Sequence, residues 1–198
     1  ALTQYHSNEY LRFDTSYKML QYPCKPIFQN DLQDTAGLNL MPNGQMLQVA
    51  ILAHPDNPED GIIFKEEAIK YNNKFDFCKK MTNTVVVDEN KNEYEERFAR
   101  PPIMPNEPAS RYAAIDENGI PILDAEIKPL DCIVGKIRIY NKNSPTHKAG
   151  TIENLSLYAG IGEGGFIDRV LITRNSFLSE KIVKVKIRQN RKYQPGDK

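Results

Sequence analysis

Residues 44–64 read GQMLQVAILAHPDNPEDGIIF, and this stretch predicts the framework on which the chain is built. The apolar run 46–53 predicts a strand, and the loop after it ends in two adjacent acids, Glu59 and Asp60. A second apolar run, 62–64, and the helix-prone segment 64–71 follow, so we expect structure on both sides to hold the acids in place. The pair can be a solvated turn near a helix start. The alternative is a pair of oxygen ligands for a divalent metal that also holds a substrate phosphate.

The composition is that of a globular, β-rich protein without a strong overall charge. Of its 198 residues 40% are hydrophobic and 26% charged, and its 13 prolines and 11 glycines predict many turns. This length allows one large domain or two small ones. The 26 Lys and Arg residues balance 26 Asp and Glu residues, so no overall positive field attracts nucleic acid. The segment 180–198 holds seven cations and two acids, so a nucleic-acid surface would have to be local.

The cysteines and the apolar runs indicate an intracellular, reducing compartment. Cys24, Cys78 and Cys132 are far apart, with no CxxC and no nearby histidine pair, which argues against a disulfide framework or a zinc site. No apolar run approaches the ~20 residues that a membrane span needs, and no secretory signal is present. The chain starts without a methionine and stops abruptly after the sequence GDK, so we expect a fragment of a longer protein.

Two cations near the amino terminus stand in contrasting segments. Arg12 lies within residues 1–21, which predict a helix or a short irregular segment. It is either a surface or ion-paired arginine or a phosphate-binding one. Lys25 lies in the sequence YPCKP, where two prolines impose an extended backbone, so we expect this lysine to be presented from a stiff segment.

The rest of the chain alternates short elements and turns. We predict a helix over 65–71, a strand within 74–87, a solvated loop or helix turn over 88–96, a proline-rich loop over 101–108 and strands within 131–139. Residues 160–165, GIGEGG, formally fit GxGxxG. We reject a dinucleotide site there, because a strand-like run follows where that motif needs a helix. These glycines instead predict a tight β connection.

Residues 181–188 predict a basic strand. The alternation buries Ile182, Val183 or Val185, and Ile187 on one side, and sets cations on the other. These cations are Lys184, Lys186 and Arg188, and Arg191, Lys192 and Lys198 follow. A basic edge strand can serve only to prevent aggregation, or it can line a nucleic-acid or polyphosphate backbone.

The order of these motifs resembles that in the second-largest subunit of multisubunit DNA-directed RNA polymerases, the bacterial β subunit. The motifs are RFDT at 12–15, YPCKP at 22–26, GQ at 44–45, VA at 49–50, ED at 59–60, VKVKIR at 183–188 and PGDK at 195–198. The resemblance covers essentially the whole chain, which is similar to the hybrid-binding region. It implies a β-rich α+β fold, part of a double-psi β-barrel, with the region in two parts, 1–74 and 166–198, around a wall-like or flap-like β insertion at 75–165.

The resemblance also implies site residues. Glu59 and Asp60 match the acidic pair near the second, nucleotide-borne Mg²⁺, and Arg12 matches an arginine close to the incoming triphosphate. Lys198 matches the GDK lysine near the RNA end and the substrate phosphates, with Arg191 as the candidate for a second basic residue. Lys25 matches a lysine beside the RNA–DNA hybrid. We assign nucleic-acid contacts to Lys184, Lys186 and Arg188 as well.

The implied activity is template-dependent nucleotidyl transfer within an assembled polymerase. In this family three aspartates of the largest subunit hold the primary metal, and no such DxDxD cluster occurs here, so we expect the chain to be inert alone. The implied partners are the largest subunit, other polymerase subunits, DNA template, RNA–DNA hybrid and nucleoside triphosphates, with no membrane. The implied setting is the nucleus or, for a viral or plasmid-encoded enzyme, the host cytoplasm or virion.

The chain departs from the family pattern at three places, and two rival functions remain. Cys24 stands where the family usually has Gln, and residues 54–58, HPDNP, replace a Gly-Tyr-Asn segment, which favours a viral or plasmid-encoded polymerase. The family also continues past GDK, so we expect an open barrel here. One rival is a non-catalytic module that binds nucleic acid through the basic strand. The other is a phosphate-binding metabolic enzyme built on the glycines at 160–165.

Overall fold

The fold is β-rich with short helices, as a computed structural model of residues 5–89 and 91–197 describes it. In this described part of the chain the helices are two α-helices, α1 (Asp31–Thr35) and α2 (Glu66–Lys70), and three 3-10 turns at Glu9–Leu11, Leu38–Leu40 and Ala109–Tyr112. The strands are β1 (Ser16–Leu20), β2 (Phe77–Asp88), β3 (Tyr94–Phe98), β4 (Glu126–Ile127), β5 (Cys132–Val134), β6 (Lys136–Tyr140), β7 (Ile152–Asn154), β8 (Leu157–Tyr158), β9 (Gly165–Asn175) and β10 (Glu180–Arg191). The β-rich α+β class is therefore confirmed.

Three sheets organise these strands. The largest has the order β1-β2-β10-β9-β4, a second has the order β3-β6-β7, and β5 pairs with β8. Strands β9 and β10 form an antiparallel hairpin whose register runs from Asn175 opposite Glu180 to Phe166 opposite Arg188. The register shifts between Lys186 and Ile187, because Asp168 is an extra residue on β9 and forms a β-bulge.

The chain divides into two compact units. The first contains residues 5–12, 17–79 and 190–197, and the second contains 13–16 and 80–189 apart from residue 90. The main apolar core lies in the second unit and includes Ile133, Val134, Ile167, Val183 and Val185, each at most 1% exposed. The predicted division at residues 74 and 165 stays a prediction. Within the described residues no helix is long and apolar enough to cross a membrane.

Most of the regular elements lie where the sequence patterns predict them. Helix α2, strand β2, the loop at 101–108, the strands within 131–139 and the basic strand are confirmed. The glycine-rich segment is a tight connection into β9, as predicted, since the strand begins at Gly165. Residues 5–21 contain a 3-10 turn and strand β1, so the expected helix or irregular segment is only partly correct.

Two expectations are wrong. The apolar run 46–53 forms no strand, because its side chains meet water and no neighbouring strand pairs with it among the described residues; Val49 is 78% exposed and Ile51 100%. The charged run 88–96 is not all loop, because β3 begins at Tyr94. The acid at the centre of β3, Glu96, is buried against Lys136 and Arg138. Because this buried position carries a charged residue, the sequence of β3 does not show the alternation of apolar and polar residues that identifies a strand.

Candidate functional site

The acidic pair occupies the tip of a turn in the first unit. The Gly61 amide donates to the Pro58 carbonyl at 2.9 Å, and this bond closes a turn with Glu59 and Asp60 at its centre. Both acids are exposed. The described residues contain no cluster of three or more metal-ligating side chains. The pair can therefore supply two oxygen ligands to a divalent ion.

An aromatic trio ties the segment after the acidic pair to the segment before the GDK motif. The rings of Phe64, Phe75 and Tyr193 have centroids 4.9 to 5.5 Å apart, in tilted and edge-on arrangements. Phe75 has a positive φ of 63°, and its amide donates to the Gln45 side chain at 2.9 Å. A non-glycine residue keeps such a backbone only where its surroundings fix it, so this part of the first unit is held firmly.

The turn before residue 198 is braced by Asp197. Its carboxylate accepts from the Gln194 amide at 2.9 Å and from Arg191 at 2.8 Å, and the Tyr193 hydroxyl donates to its carbonyl at 3.1 Å. Gly196 takes the positive φ that the turn requires, 89°. Arg191 thus stabilises the GDK turn, and its guanidinium also lies over the ring of Phe77 at 5.5 Å. Lys198 lies outside the described residues.

The other two cations of the first unit differ in their surroundings. Arg12 is half-buried and ends the 3-10 turn, and its amide donates to the Glu9 carbonyl at 3.1 Å. Lys25 is exposed, in a segment without helix or strand where the Cys24 amide donates to the Gly44 carbonyl at 2.7 Å. Arg12, Lys25, Glu59, Asp60 and Arg191 therefore all belong to the first unit.

The basic strand does not present its cations as one exposed row. One face is buried, with Val183, Val185 and Ile187 at most 1% exposed. Ile182 is only half-buried, so its predicted burial is wrong. Lys186, however, is 0% exposed, so the expectation that it faces solvent is wrong, and its contact with nucleic acid stays a prediction. The physical reason is that the ring of Phe13 lies beneath its ammonium group, with the nitrogen 5.5 Å from the ring centroid.

Arg188, the last of the three strand cations predicted to contact nucleic acid, forms ion pairs. Arg188 contacts Asp124 at 2.9 Å and Asp168 at 3.3 Å, and Lys80 lies 3.6 Å from the same Asp168 carboxylate. The hydrogen bond to Asp124 raises the pKa of Arg188, and the bond to Asp168 raises it further against the opposing effect of burial. Lys184 and Arg188 are both half-exposed, so both keep the position expected of a nucleic-acid contact.

The glycines at 160–165 have a structural explanation in this fold. The Glu163 carboxylate accepts from the Gly160 amide at 2.8 Å, so the loop satisfies its own polar groups. Gly165 has a φ of 139°, and a Cβ there would overlap the Arg188 carbonyl oxygen. This close approach of two strands requires glycine and leaves the metabolic-enzyme hypothesis without support.

Sequence reasoning missed the residues that hold these groups. They are the aromatic trio, Asp197 as the partner of Arg191, and Phe13. The sequence indicates some of them only by their position next to the predicted site residues. Phe13 follows Arg12 directly, and Tyr193 and Asp197 flank the Gln-Pro-Gly turn.

Taken together, the first unit carries exposed acids on a closed turn and a cation, Arg191, on a braced turn, and the described residues contain no cluster of three or more metal-ligating side chains. The chain belongs to the family described as RNA polymerase Rpb2, domain 6, whose model matches residues 1–198. The resemblance to the second-largest polymerase subunit is thus confirmed.

Relatives from archaea, a virus and bacteria carry polymerase names. The chain is 28% identical over 207 residues to the DNA-directed RNA polymerase subunit Rpo2 of Sulfolobus acidocaldarius, covering 100% of this chain and 18% of the relative. It is 31% identical over 190 residues to a probable DNA-directed RNA polymerase II subunit RPB2 homolog of Invertebrate iridescent virus 3, covering 95% and 16%. It is 28% identical over 174 residues to the DNA-directed RNA polymerase subunit beta of Thermus thermophilus, covering 78% and 15%. The chain thus spans less than a fifth of the length of these relatives.

Proposed function

We propose that the chain is part of the catalytic core of a DNA-directed RNA polymerase and contributes to template-dependent RNA synthesis. The observation that carries this proposal is the family match over residues 1–198, together with relatives named as polymerase subunits. In this reaction the RNA 3′ hydroxyl attacks the α-phosphorus of a nucleoside triphosphate, and pyrophosphate leaves.

The first unit carries the residues proposed to act on the triphosphate. Arg12, Arg191 and Lys198 would bind phosphate oxygens and stabilise the charge that develops on them as the bond to pyrophosphate breaks. The half-buried position of Arg12 supports this role, because a partly desolvated guanidinium interacts more strongly with phosphate than a fully solvated one. Asp197 would keep Arg191 next to the turn that leads to Lys198.

Glu59 and Asp60 are proposed to help hold the second, nucleotide-borne Mg²⁺. Two carboxylates at an exposed turn fit this ion, because Mg²⁺ is usually bound by one or two protein carboxylates together with substrate phosphates and water. The ion would neutralise phosphate charge. The acidic turn would orient its two carboxylates toward the triphosphate, with other ligands from the largest subunit.

The remaining proposals concern partners and architecture. Lys25 and Lys184 would contact the RNA–DNA hybrid, and the chain would assemble with the largest subunit and other polymerase subunits on a DNA template. The setting would be the nucleus, or the host cytoplasm or virion for a viral enzyme. We also propose that the strands form part of a double-psi β-barrel with a wall-like or flap-like insertion at 75–165.

The deciding experiment is the double variant Glu59→Ala/Asp60→Ala in the assembled polymerase. We expect single-nucleotide addition to fall by on the order of 10²-fold, the effect typical of losing a group that stabilises the transition state, with subunit assembly unchanged. We also expect half-maximal activity to require more Mg²⁺. The matched control is Asp56→Ala, which removes an exposed acid from the same loop. Normal elongation by the double variant at limiting Mg²⁺ would refute the proposal.

A further inference from the structure

Two cations of the first unit lie against one aromatic ring of the same unit. The ammonium of Lys18 is 5.0 Å from the centroid of the Phe77 ring, and the guanidinium carbon of Arg191 is 5.5 Å from it. Both distances are within the range of a cation–π interaction. Phe77 is only 7% exposed, so its ring is a fixed platform. The two charged groups can therefore be no further apart than these two distances combined.

The two cations differ in how their charge is balanced. Arg191 donates to one oxygen of the Asp197 carboxylate at 2.8 Å, and the other oxygen accepts from the Gln194 amide at 2.9 Å. Lys18 is exposed and forms no ion pair with a carboxylate in the part of the chain that the structure describes. One acid therefore faces two cations, and the charge of Lys18 is not neutralised.

Packing of the first unit does not require Lys18 to lie near Arg191. Lys18 is an exposed residue of β1, and a lysine in such a position can extend its ammonium into water. Two cations on one ring repel each other. An anion that contacts both would replace this repulsion with attraction, because its charge would be opposite to that of each cation. The arrangement thus provides a place for an anion that packing alone does not explain.

We infer that Lys18 and Arg191 form a two-cation site for phosphate groups, with Phe77 as its platform. This inference rests on the proposed role of Arg191 in binding phosphate oxygens. Arginine offers phosphate a planar fork of donors, and lysine offers a compact charge with three donors. The ring contact limits the positions of the Lys18 ammonium, which reduces the ordering that binding requires. The phosphate comes either from the nucleoside triphosphate or from the backbone of the RNA–DNA hybrid.

The test uses the assembled polymerase carrying Lys18→Gln, which removes the charge of an exposed side chain. If the site holds the nucleoside triphosphate, its KM in single-nucleotide addition rises on the order of 10-fold, the effect of losing a hydrogen bond to a charged group. If the site holds backbone phosphate, KM is unchanged, and the salt dependence of affinity for the RNA–DNA hybrid becomes shallower by about one unit of slope. Either result supports the site. No change in either measurement would overturn the inference.

Two further variants separate the contact of Lys18 from the general charge of the protein. Lys18→Arg keeps a cation at the ring and should restore most of the loss. Lys65→Gln is the matched control, because it removes an exposed cation of the same unit that has an acid, Glu67, at 3.9 Å. We expect both measurements to stay unchanged in this control. Equal effects of Lys65→Gln and Lys18→Gln would overturn the inference, because they would indicate a response to net charge.

The variant Arg191→Gln separates the inference from the function on which it rests. If Lys18 and Arg191 share one site, Arg191→Gln and Lys18→Gln change the same measurement. If Arg191→Gln changes a measurement that Lys18→Gln leaves unaltered, the two-cation site is wrong and the proposed role of Arg191 stands. If Arg191→Gln changes neither measurement, the proposed role of Arg191 is wrong, and the two-cation site is wrong with it.

Discussion

Glu96 and Arg138 stand directly opposite each other on β3 and β6, and the Arg138 guanidinium donates to the Glu96 carboxylate at 2.8 Å. Lys136 reaches the other oxygen of the same carboxylate at 2.6 Å. The Glu96 side chain is only 6% exposed. One buried acid therefore neutralises two cations in the three-stranded sheet, and the stability of that sheet depends on it.

The first prediction is that Glu96→Gln destabilises the chain by about 2–3 kcal/mol, because Lys136 loses the anion that it contacts and Arg138 loses one of its two anions. Urea unfolding of the chain, followed by circular dichroism, measures the change. The control is Glu153→Gln, which removes the more exposed partner of Arg138, 43% accessible, and should cost below about 1 kcal/mol. Equal losses in the two variants would contradict the prediction.

The second prediction concerns pH. Burial alone would raise the pKa of Glu96, but the hydrogen bonds from Lys136 and Arg138 outweigh it and hold the pKa below its ordinary value of 4.5. A group whose pKa is lowered in the folded state stabilises that state above the ordinary pKa. This stability is lost as the pH falls from about 5 through the lowered folded-state pKa. The urea midpoint should therefore drop on acidification, and less steeply in Glu96→Gln; parallel curves would count against the prediction.

The third prediction distinguishes two glycines of the GIGEGG segment. Gly165→Ala should prevent normal pairing of β9 with β10, because its Cβ would overlap the Arg188 carbonyl oxygen. Gly162 also has a positive φ, 81°, but a Cβ there would have no atom within 4 Å. Gly162→Ala should thus cost only about 1 kcal/mol, the backbone strain alone. Thermal unfolding of both variants is the measurement, and a Gly165→Ala chain as stable as Gly162→Ala would refute the argument.

The fourth prediction concerns thiol chemistry. Burial raises the pKa of Cys132 to about 12, and this side chain is 0% exposed. The thiolate is the reactive form, so Cys132 should resist iodoacetamide at pH 8 in the folded chain. Cys24 is half-buried and should react much faster. Peptide mass spectrometry gives the modified fractions, with urea-unfolded chain as the control in which all three cysteines react. Comparable labelling of Cys24 and Cys132 in the folded chain would show the prediction to be wrong.

The β9–β10 hairpin illustrates how much the sequence can predict. The alternation of residues 181–188 identifies the strand and its buried face, since period-two burial is a local property of the chain. It does not predict the fate of Lys186, because the opposite face is covered by Phe13, more than 170 residues earlier in the sequence. Distant partners of this kind leave no periodic signal.

The acidic turn and its neighbours also show which features the sequence can predict and which it cannot. The segment 64–71 correctly predicted helix α2, and the solvated turn was one of the two alternatives open for the acids, but the run 46–53 did not become a strand. Strand propensity expresses how well side chains fit a paired, half-buried surface, and a strand needs a neighbour to pair with. For β3 the error is the opposite one, because a strand begins within a run that was predicted to be a solvated loop or helix turn. In the sequence, a buried glutamate with two cationic partners cannot be distinguished from a solvated one.

The exposed apolar run 46–53 has a consequence for handling this protein. It is eight residues long, has no charge and no proline, and contains the β-branched residues Val49 and Ile51. Such windows are typical of segments that stack into cross-β fibres. At high concentration the chain by itself therefore has a route to self-association, and solubility should fall as its concentration rises. Any polypeptide that covers this run would prevent self-association through it.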